Sequence, residues 1–282
     1  MDAKYKILVT GGAGFIGANF IIDQIKNYNN SIFNIDKLTY ASSLKSLKEV
    51  EDNSNYKFIK GDIVDSSLIK KILKEYNPDY TINFAAESHV DKSIHKPQDF
   101  INSNIVGVSN LLINLNEYYR NNKANLNKNF RFLQVSTDEV YGSLKFNQPP
   151  FTEESVFNPS SPYSASKAAS DLLVKAWNIT YKFPVITTHC SNNYGPYQFS
   201  EKLIPLVIIH CILEKKIPVY GTGRNIRDWI NVKDHCNALN NILMNGSIGE
   251  TYNIGGNTEK SILEVINIIC NILNNLKPRK NG

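Results

Sequence analysis

The chain has 282 residues, of which 42% are hydrophobic and 20% are charged, as in an ordinary globular protein. Its formal net charge of +5 is spread along the chain, apart from the Lys277–Lys280 tail, and suits an anionic small molecule better than a nucleic acid. The first apolar run, Ile7–Val9, ends at glycines, and no stretch approaches the roughly 18 apolar residues of a membrane span. The cysteines have no C-x-x-C spacing, which predicts free thiols and no metal site. We therefore expect a soluble, cytoplasmic protein that binds neither membranes nor nucleic acids.

Apolar β-rich runs alternate with amphipathic segments up to about residue 190. The predicted strands are Lys6–Thr10, Ser31–Ile35, Lys57–Lys60, Tyr80–Phe84, Phe130–Ser136 and Val185–His189. The predicted helices are roughly Phe15–Tyr28, Ser66–Glu75, Pro97–Asn116 and Pro162–Phe183. This alternation predicts an α/β fold, a doubly wound, mostly parallel sheet of the Rossmann type with helices on both faces.

After about residue 190 the alternation stops, and turns that contain proline or glycine separate shorter elements. We therefore predict a dinucleotide-binding domain over residues 1–190 and a smaller C-terminal substrate-binding lobe over residues 191–282. This prediction includes the case in which some segments after residue 190 pack back into the main domain.

A glycine-rich turn, Thr10–Gly17, follows the first strand directly and has a G-x-x-G-x-x-G spacing. Gly11 permits a tight turn, Gly14 lets the backbone approach a pyrophosphate, and Gly17 allows a helix to pack closely on a strand. Asp36, at the end of the second strand, is placed to accept hydrogen bonds from an adenosine ribose, and its charge disfavours a 2′-phosphate. The succession of strand, turn and helix therefore predicts an NAD site rather than a plain turn followed by a capping aspartate.

Two further segments follow strands at the edge of the sheet where ligands bind in such folds. Gly61–Ile63 comes after the third strand and Phe84–Ser88 after the fourth. We expect both to line the cofactor site, although the small Ala85–Ala86 pair is also compatible with simple packing.

Tyr163 and Lys167 lie one helical turn apart in a Y-x-x-x-K pattern. A nearby cation, either Lys167 or an oxidised nicotinamide, lowers the pKa of a phenol and makes Tyr163 a usable base at neutral pH. Such a pair is usually an ordinary surface feature, but here it follows a dinucleotide-binding pattern. We therefore interpret both residues as catalytic.

Asp138 and Glu139 are adjacent carboxylates directly after the fifth predicted strand. Beside a nicotinamide, two acids whose pKa values are pushed apart can serve as general acid and general base. The short segment that contains them, taken alone, favours another interpretation, in which they cap the following turn.

Segments along nearly the whole chain resemble, in the same order, those of the dTDP-glucose 4,6-dehydratases, a family of extended short-chain dehydrogenases/reductases. These segments are Thr10–Gly17, Asp36–Tyr40, Phe84–Asp91, Thr137–Glu139, Tyr163 with Lys167, Ser191–Pro196, Glu201–Pro205 and Arg227–Trp229. The most specific of them is Thr137–Glu139, because related epimerases usually carry small or hydroxyl residues in place of the two acids.

The resemblance implies a redox-neutral dehydration of a nucleoside-diphosphate glucose with retained NAD. Tyr163 would take the proton of the sugar 4-hydroxyl while C4 gives a hydride to NAD⁺, with Lys167 beside it and Thr137 positioning that hydroxyl. Glu139 would then remove the C5 proton, and protonated Asp138 would release the 6-hydroxyl as water. Return of the hydride to C6 and of a proton to C5 would give a 4-keto-6-deoxy sugar.

The resemblance also implies two sets of binding residues. Those expected at NAD, besides the glycines of the turn, are Phe15, Ile16, Asp36, Lys37, Leu38, Thr39, Asp62, Ile63, Phe84, Ala85, Ala86, Glu87, Ser103, Tyr163, Lys167 and Asn193. Those expected at the nucleotide sugar are Ser88, Thr137, Asn192, Lys202, Leu203, Pro218, Val219, Tyr220 and Arg227. Lys202 and Arg227 suit a diphosphate, and Tyr220 offers a ring for a base to pack on.

Three features depart from the family pattern. The chain stops at Gly282 without the Arg-Pro-Gly-His-Asp-like segment that helps to clamp the diphosphate in the family. Ile262 stands where asparagine is usual, and His189 stands where arginine is common. We therefore expect an incomplete substrate-binding lobe, with normal NAD binding and weakened nucleotide-sugar binding.

Three alternatives stay open from the sequence. The nucleotide base of the substrate, dTDP or UDP, is not distinguished. An epimerase or decarboxylase is disfavoured by Asp138 and Glu139. A non-catalytic NAD-binding protein is favoured by Ile262 but has no need of the full catalytic set. Homodimerisation is common among proteins of this kind, so the resemblance also implies a homodimer through the helices around Pro97–Asn116 and Pro162–Phe183.

Overall fold

A computed structural model of the chain describes residues 4–122, 130–145, 147–219 and 221–278. Within these residues the strands are β1 (Lys6–Thr10), β2 (Ser31–Asp36), β3 (Tyr56–Lys60), β4 (Tyr80–Asn83), β5 (Arg131–Thr137), β6 (Val185–Cys190), β7 (Asn192–Tyr194), β8 (Ile226–Asn231), β9 (Thr251–Ile254) and β10 (Glu259–Ser261). Seven of them form one parallel sheet in the order β3-β2-β1-β4-β5-β6-β9. The strand order reverses between β1 and β4, and ligands bind at the carboxyl ends of strands beside such a reversal.

Helices cover both faces of this sheet. They are α1 (Phe15–Tyr28), α2 (Ser66–Tyr76), α3 (Val90–His95), α4 (Pro97–Phe100), α5 (Val108–Asn122), α6 (Pro162–Tyr181), α7 (Leu203–Ile212), α8 (Val232–Asn245) and α9 (Ile262–Leu276). Phe20 of α1 and Leu239 of α8 belong to the buried cluster on one face. Leu111 of α5 and Val174 of α6 belong to the cluster on the other. Each face of the sheet thus has its own apolar layer, and the polar site is left to the strand ends.

The start of α6 is determined by a capping box. The Ser161 hydroxyl accepts a hydrogen bond from Ser164 N, and Ser161 N donates to the Ser164 hydroxyl, each at 3.0 Å. Pro162 occupies the first turn, where its missing N–H costs nothing. This cap places Tyr163 and Lys167 in the first two turns of α6.

The predicted helix Pro97–Asn116 is not continuous. A π-helical segment, Ile101–Gly107, separates α4 from α5. Its Asn104 side chain accepts a hydrogen bond from Glu87 N (2.9 Å) and donates to Glu87 O (3.0 Å) and the Ser166 hydroxyl (2.8 Å). π-Helical turns often occur at functional sites. Helix propensity does not reveal this one, because it depends on the tertiary contacts of Asn104.

The predicted fold class is confirmed, and the six predicted strands agree with the observed ones to within one residue at each end. The strand β9 was not predicted, although it pairs with β6 in the main sheet. The strands β7, β8 and β10 form a separate small sheet, and α7 packs against α9. The assignment of residues 191–282 to a substrate-binding lobe stays a prediction. Among the described helices, none has both the length and the apolar character needed to cross a membrane.

Replacing Leu133 of β5 with alanine should destabilise the whole sheet. Leu133 is fully buried in β5, an interior strand of the sheet between β4 and β6. The Leu133→Ala variant should therefore lose about 2–5 kcal/mol of unfolding free energy, because apolar burial is lost and a cavity is left. Urea denaturation measures this loss. Val156→Ala, at a position with 84% exposure, is the matched control and should change stability by less than about 0.5 kcal/mol. Equal effects in the two variants would contradict the assigned core.

Candidate active site

A cavity of about 310 Å³ opens at the carboxyl ends of β1, β2, β4, β5 and β6. The residues in its wall that were predicted for the cofactor are Gly11, Gly14, Phe15, Ile16, Gly17, Asp36, Lys37, Thr39, Asp62, Ile63, Phe84, Ala85, Ala86, Ser103, Tyr163, Lys167 and Asn193. Those predicted for catalysis or the substrate are Ser88, Thr137, Asp138, Glu139, Asn192 and Lys202. The fold therefore brings most of the predicted site residues to one place.

The glycine turn lets the backbone of β1 pass directly beside the segment after β4. Gly11 has a φ of +73°, and a Cβ at this position would lie 2.4 Å from Ala85 N. At Gly17, a Cβ would lie 2.6 Å from Gly11 O, so the turn folds back on the first turn of α1. Because α1 begins at Phe15, its free N–H groups and its positive dipole end lie at this turn. The arrangement suits a bound anion.

Asp36 is buried at the end of β2 and organises the loops around it. Its carboxylate accepts hydrogen bonds from Ala13 N (3.0 Å) and Leu38 N (2.7 Å). A carboxylate has about four acceptor positions, so Asp36 keeps capacity for hydroxyl groups in the cavity. Leu38 itself, with a φ of 59°, shapes the loop but does not line the cavity.

A second cavity, of about 540 Å³, shares Lys37, Asp62 and Ser103 with the first. Lys37 Nζ donates to the Ser103 hydroxyl (2.5 Å) and lies 3.5 Å from Glu87 Oε1. Glu87, predicted at the cofactor, lines this second cavity and not the first.

Tyr163 and Lys167 are both buried against β5. Lys167 Nζ donates to Val135 O (2.8 Å), and burial lowers the pKa of this ammonium. Burial and then the charge of Glu139 raise the pKa of the Tyr163 phenol well above its ordinary value. Lys167 was predicted to lower that pKa, but among this chain's own groups burial and the carboxylates dominate. A positive charge bound in the cavity would act in the opposite direction.

Asp138 and Glu139 begin a 3₁₀ helix, Asp138–Tyr141, that follows β5 without a break. Burial, reinforced by the charge of Glu139, raises the pKa of Asp138 to about 6. Glu139 lies at the open side of the cavity, where surrounding protein still raises its pKa while the charges of Arg227 and Lys202 oppose this rise. The pair thus combines Asp138, whose pKa is raised to about 6, with Glu139, whose charged form is favoured by Arg227 and Lys202.

The residues predicted for the substrate are divided between the wall and its surroundings. Those that line the cavity are Ser88, Thr137, Asn192 and Lys202, and Leu203 follows Lys202 as the first residue of α7. The remaining described ones, Arg227, Pro218 and Val219, are exposed and do not line it. Tyr220 lies outside the described residues.

The chain is similar to known 4,6-dehydratases over nearly its whole length. A family model described as GDP-mannose 4,6 dehydratase matches residues 8–281. The chain is 50% identical over 275 residues to the dTDP-glucose 4,6-dehydratase of Xanthomonas campestris pv. campestris, covering 98% of this chain and 78% of that relative. The chain belongs to the dTDP-glucose 4,6-dehydratase family.

Solved structures of this dehydratase family have the same fold. The enzyme from Bacillus anthracis, in complex with NAD, superposes with a TM-score of 0.84 at 44% identity, covering 95% of this chain and 81% of that one. The enzyme from Streptomyces venezuelae, with NAD and a dTDP ligand bound, gives a TM-score of 0.87 at 39% identity, with the same two shares covered.

Among the cavity residues that were not predicted in this member of the dehydratase family are Gln198 and Phe199. Gln198 Nε2 donates to Asn193 O (2.8 Å), and the Phe199 ring packs edge-on against Tyr40 at 5.7 Å between centroids. They lie in an irregular loop between β7 and α7, where no periodic pattern points to the site. Cys190 and Ser191 also line the cavity, and their position at the end of β6 could have predicted this.

Removing the Asp138 charge should stabilise the protein at neutral and alkaline pH. The folded protein holds a proton at Asp138 up to about pH 6, whereas an unfolded aspartate titrates near 3.8. Wild type should therefore lose stability relative to Asp138→Asn as the pH rises from about 4 to 6 and keep this deficit, at most about 3 kcal/mol, above it. Chemical denaturation at several pH values measures the difference. Glu259→Gln, at an exposed position in β10, is the control, and parallel pH profiles for the two variants would contradict the prediction.

Proposed function

We propose that this protein is an NAD-dependent dTDP-glucose 4,6-dehydratase, a hydro-lyase that forms dTDP-4-keto-6-deoxyglucose. The observation that carries the proposal is the position of Asp138 and Glu139 in the same cavity wall as Tyr163, where the charge of each acid bears on the phenol. A dehydration needs both a proton donor and a proton acceptor in addition to the group that handles the 4-hydroxyl. The 50% identity to a named dTDP-glucose 4,6-dehydratase supports the choice of substrate.

The cavity fits NAD in two respects. The glycine turn brings backbone N–H groups of α1 to the cavity, as a pyrophosphate requires, and Asp36 retains acceptor positions for ribose hydroxyls. We infer that the cofactor is held by the predicted cavity residues, with Leu38 and Glu87 acting from the adjoining loops. When bound, NAD supplies the oxidant for C4 of the sugar and returns the same electron pair at C6.

The protein's own groups account for the proton transfers. Tyr163 takes the proton of the 4-hydroxyl, and the Lys167 ammonium stabilises the phenolate. Thr137 holds that hydroxyl in place. Once C4 is a ketone, the C5 proton is acidic and passes to Glu139, while Asp138 gives its proton to the departing 6-hydroxyl. Glu139 then returns a proton to C5 when C6 is reduced, which completes the 4-keto-6-deoxy sugar. The raised pKa of Asp138 favours the protonated form that this step needs.

We infer that Lys202 and Arg227 neutralise the diphosphate of the substrate, since both charges already act on Glu139. The other residues that the family resemblance implies at the nucleotide sugar are Ser88, Asn192, Leu203, Pro218, Val219 and Tyr220, and the ring of Tyr220 suits packing on the base.

A homodimer is part of the proposal. Large apolar side chains are exposed on α5 and α6, among them Ile113 (51%), Leu172 (58%) and Ile179 (60%). Packing of these helices against a second copy would remove this apolar surface from water. We also place the protein in the cytoplasm, and the free thiols of the buried residues Cys190 and Cys236 support a reducing compartment.

The proposal is tested by incubating the purified protein with dTDP-glucose or UDP-glucose, without added NAD. Absorbance of the 4-keto-6-deoxy sugar in alkali reports dehydration, and NAD released on denaturation reports the retained cofactor. Product from dTDP-glucose supports the proposal, and preferential product from UDP-glucose would replace its substrate. A sugar epimer without a keto product would indicate an epimerase, and released NAD without turnover of either sugar would indicate a non-catalytic NAD-binding protein.

Asp138→Asn and Glu139→Gln should each lower kcat by about 10²–10⁴-fold, because each removes one proton-transfer group from the elimination. Both variants should retain NAD in the same amount as wild type, since neither change alters the glycine turn or Asp36. Steady-state kinetics and the content of released NAD measure the two effects. Glu259→Gln, on the surface of β10, serves as the matched control, and a kcat for Asp138→Asn equal to that of this control would contradict the assigned roles.

A further inference from the structure

The short helix with the two acids is held at both of its ends by one buried pair of side chains. Ser136, just before it, donates its hydroxyl proton to Asp171 Oδ2 (2.6 Å). Tyr141, its last residue, shares a hydrogen bond between its hydroxyl and His189 Nδ1 (2.7 Å). His189 Nε2 in turn lies 3.1 Å from Asp171 Oδ2, so the two ends are connected through the histidine and the aspartate.

Ser136 lines the cavity, but the other three residues of this network lie behind its wall. Tyr141, Asp171 and His189 are each at most 4% exposed, and none of them lines the cavity wall. They come from the 3₁₀ helix, α6 and β6, and the Tyr141 hydroxyl also contacts Asn253 of β9 at 2.9 Å. Because buried polar groups are costly to leave without partners, each contact resists displacement of the others.

The Tyr141 ring gives the same end of the helix a second attachment. It stacks on Phe151 with centroids 5.1 Å apart and meets the His189 ring edge-on at 5.0 Å. The residues between the two attachments, Thr137 to Val140, include both acids and therefore have little freedom to move away from Tyr163.

We propose that Asp171 and His189, with Tyr141, form a clamp that positions Asp138 and Glu139 for the elimination step. The proposal rests on the proposed function for the identity of that step. These three are positioning residues, because they reach the reacting atoms only through the 3₁₀ helix. His189, which departs from the family pattern, thereby has a defined place in this protein.

The test compares Tyr141→Phe, which removes one hydroxyl and keeps the ring, with Tyr76→Phe. Tyr76 is a suitable control because its half-buried hydroxyl donates to Ser31 O (2.6 Å) at the amino end of β2, whereas the cavity lies at the carboxyl ends of the strands. In Tyr141→Phe, oxidation at C4 should continue while elimination slows by up to about 10²-fold, as expected for misplaced catalytic groups. Reduced cofactor should then accumulate during a single turnover with dTDP-glucose, where its near-ultraviolet absorbance reports it. In steady-state kinetics, kcat should fall by a larger factor than KM changes. Ser136→Ala, a second variant, should act in the same direction.

Hydrogen–deuterium exchange of the NAD-loaded protein provides a readout that needs no turnover. Amides of residues 136–142 should exchange faster in Tyr141→Phe than in wild type or Tyr76→Phe, since the attachment at one end is lost. If wild type forms the keto sugar, an unchanged kcat without accumulated reduced cofactor in both clamp variants would overturn the clamp alone. If wild type forms no keto sugar, the proposed function fails, and the exchange of residues 136–142 decides the clamp, with unchanged exchange overturning it.

Discussion

The hydrogen bond from the Lys167 ammonium to Val135 O is the interaction on which the site depends. A buried ammonium is tolerated only where it is hydrogen-bonded, so this 2.8 Å contact joins α6 to the carboxyl end of β5. Tyr163 stands one turn before Lys167, and Thr137 to Glu139 begin two residues after Val135. One contact therefore aligns the group that handles the hydroxyl with the groups that handle the elimination.

The electrostatic character of the cavity follows from this alignment. Burial raises the pKa of Tyr163, Asp138 and Glu139. The cavity therefore favours the protonated form of all three groups. Lys202 and Arg227 approach from the C-terminal part of the chain and oppose the effect at Glu139. Binding of a charged substrate or cofactor would shift this balance, which couples occupancy of the cavity to the protonation of its catalytic groups.

Much of the fold could be predicted from the sequence because the decisive signals are local. Strand β1, the glycine turn and α1 are contiguous, and Gly11 and Asp36 owe their positions to neighbouring backbone. The strand β9 could not be predicted in this way, since it is four residues long and its place is defined only by pairing with β6. The same holds for the high pKa of Tyr163, which depends on burial by distant segments. Tertiary packing also explains Asn104, whose side chain bonds to Glu87 and Ser166 within the π-helical segment.

The late position of β9 in the chain has a consequence for the order of assembly. The strands from β1 to β6 and their helices can pair as soon as residues up to about 190 are available, whereas β9 must return to β6 after a long excursion through β7, β8 and α8. Closure of such a long loop is slow relative to pairing of neighbouring strands. Because Asn253 of β9 contacts the Tyr141 hydroxyl, the glycine turn can form before the acid-bearing helix receives its last support. We therefore expect the glycine turn to become ordered earlier during folding than the helix that carries the proton-transfer groups.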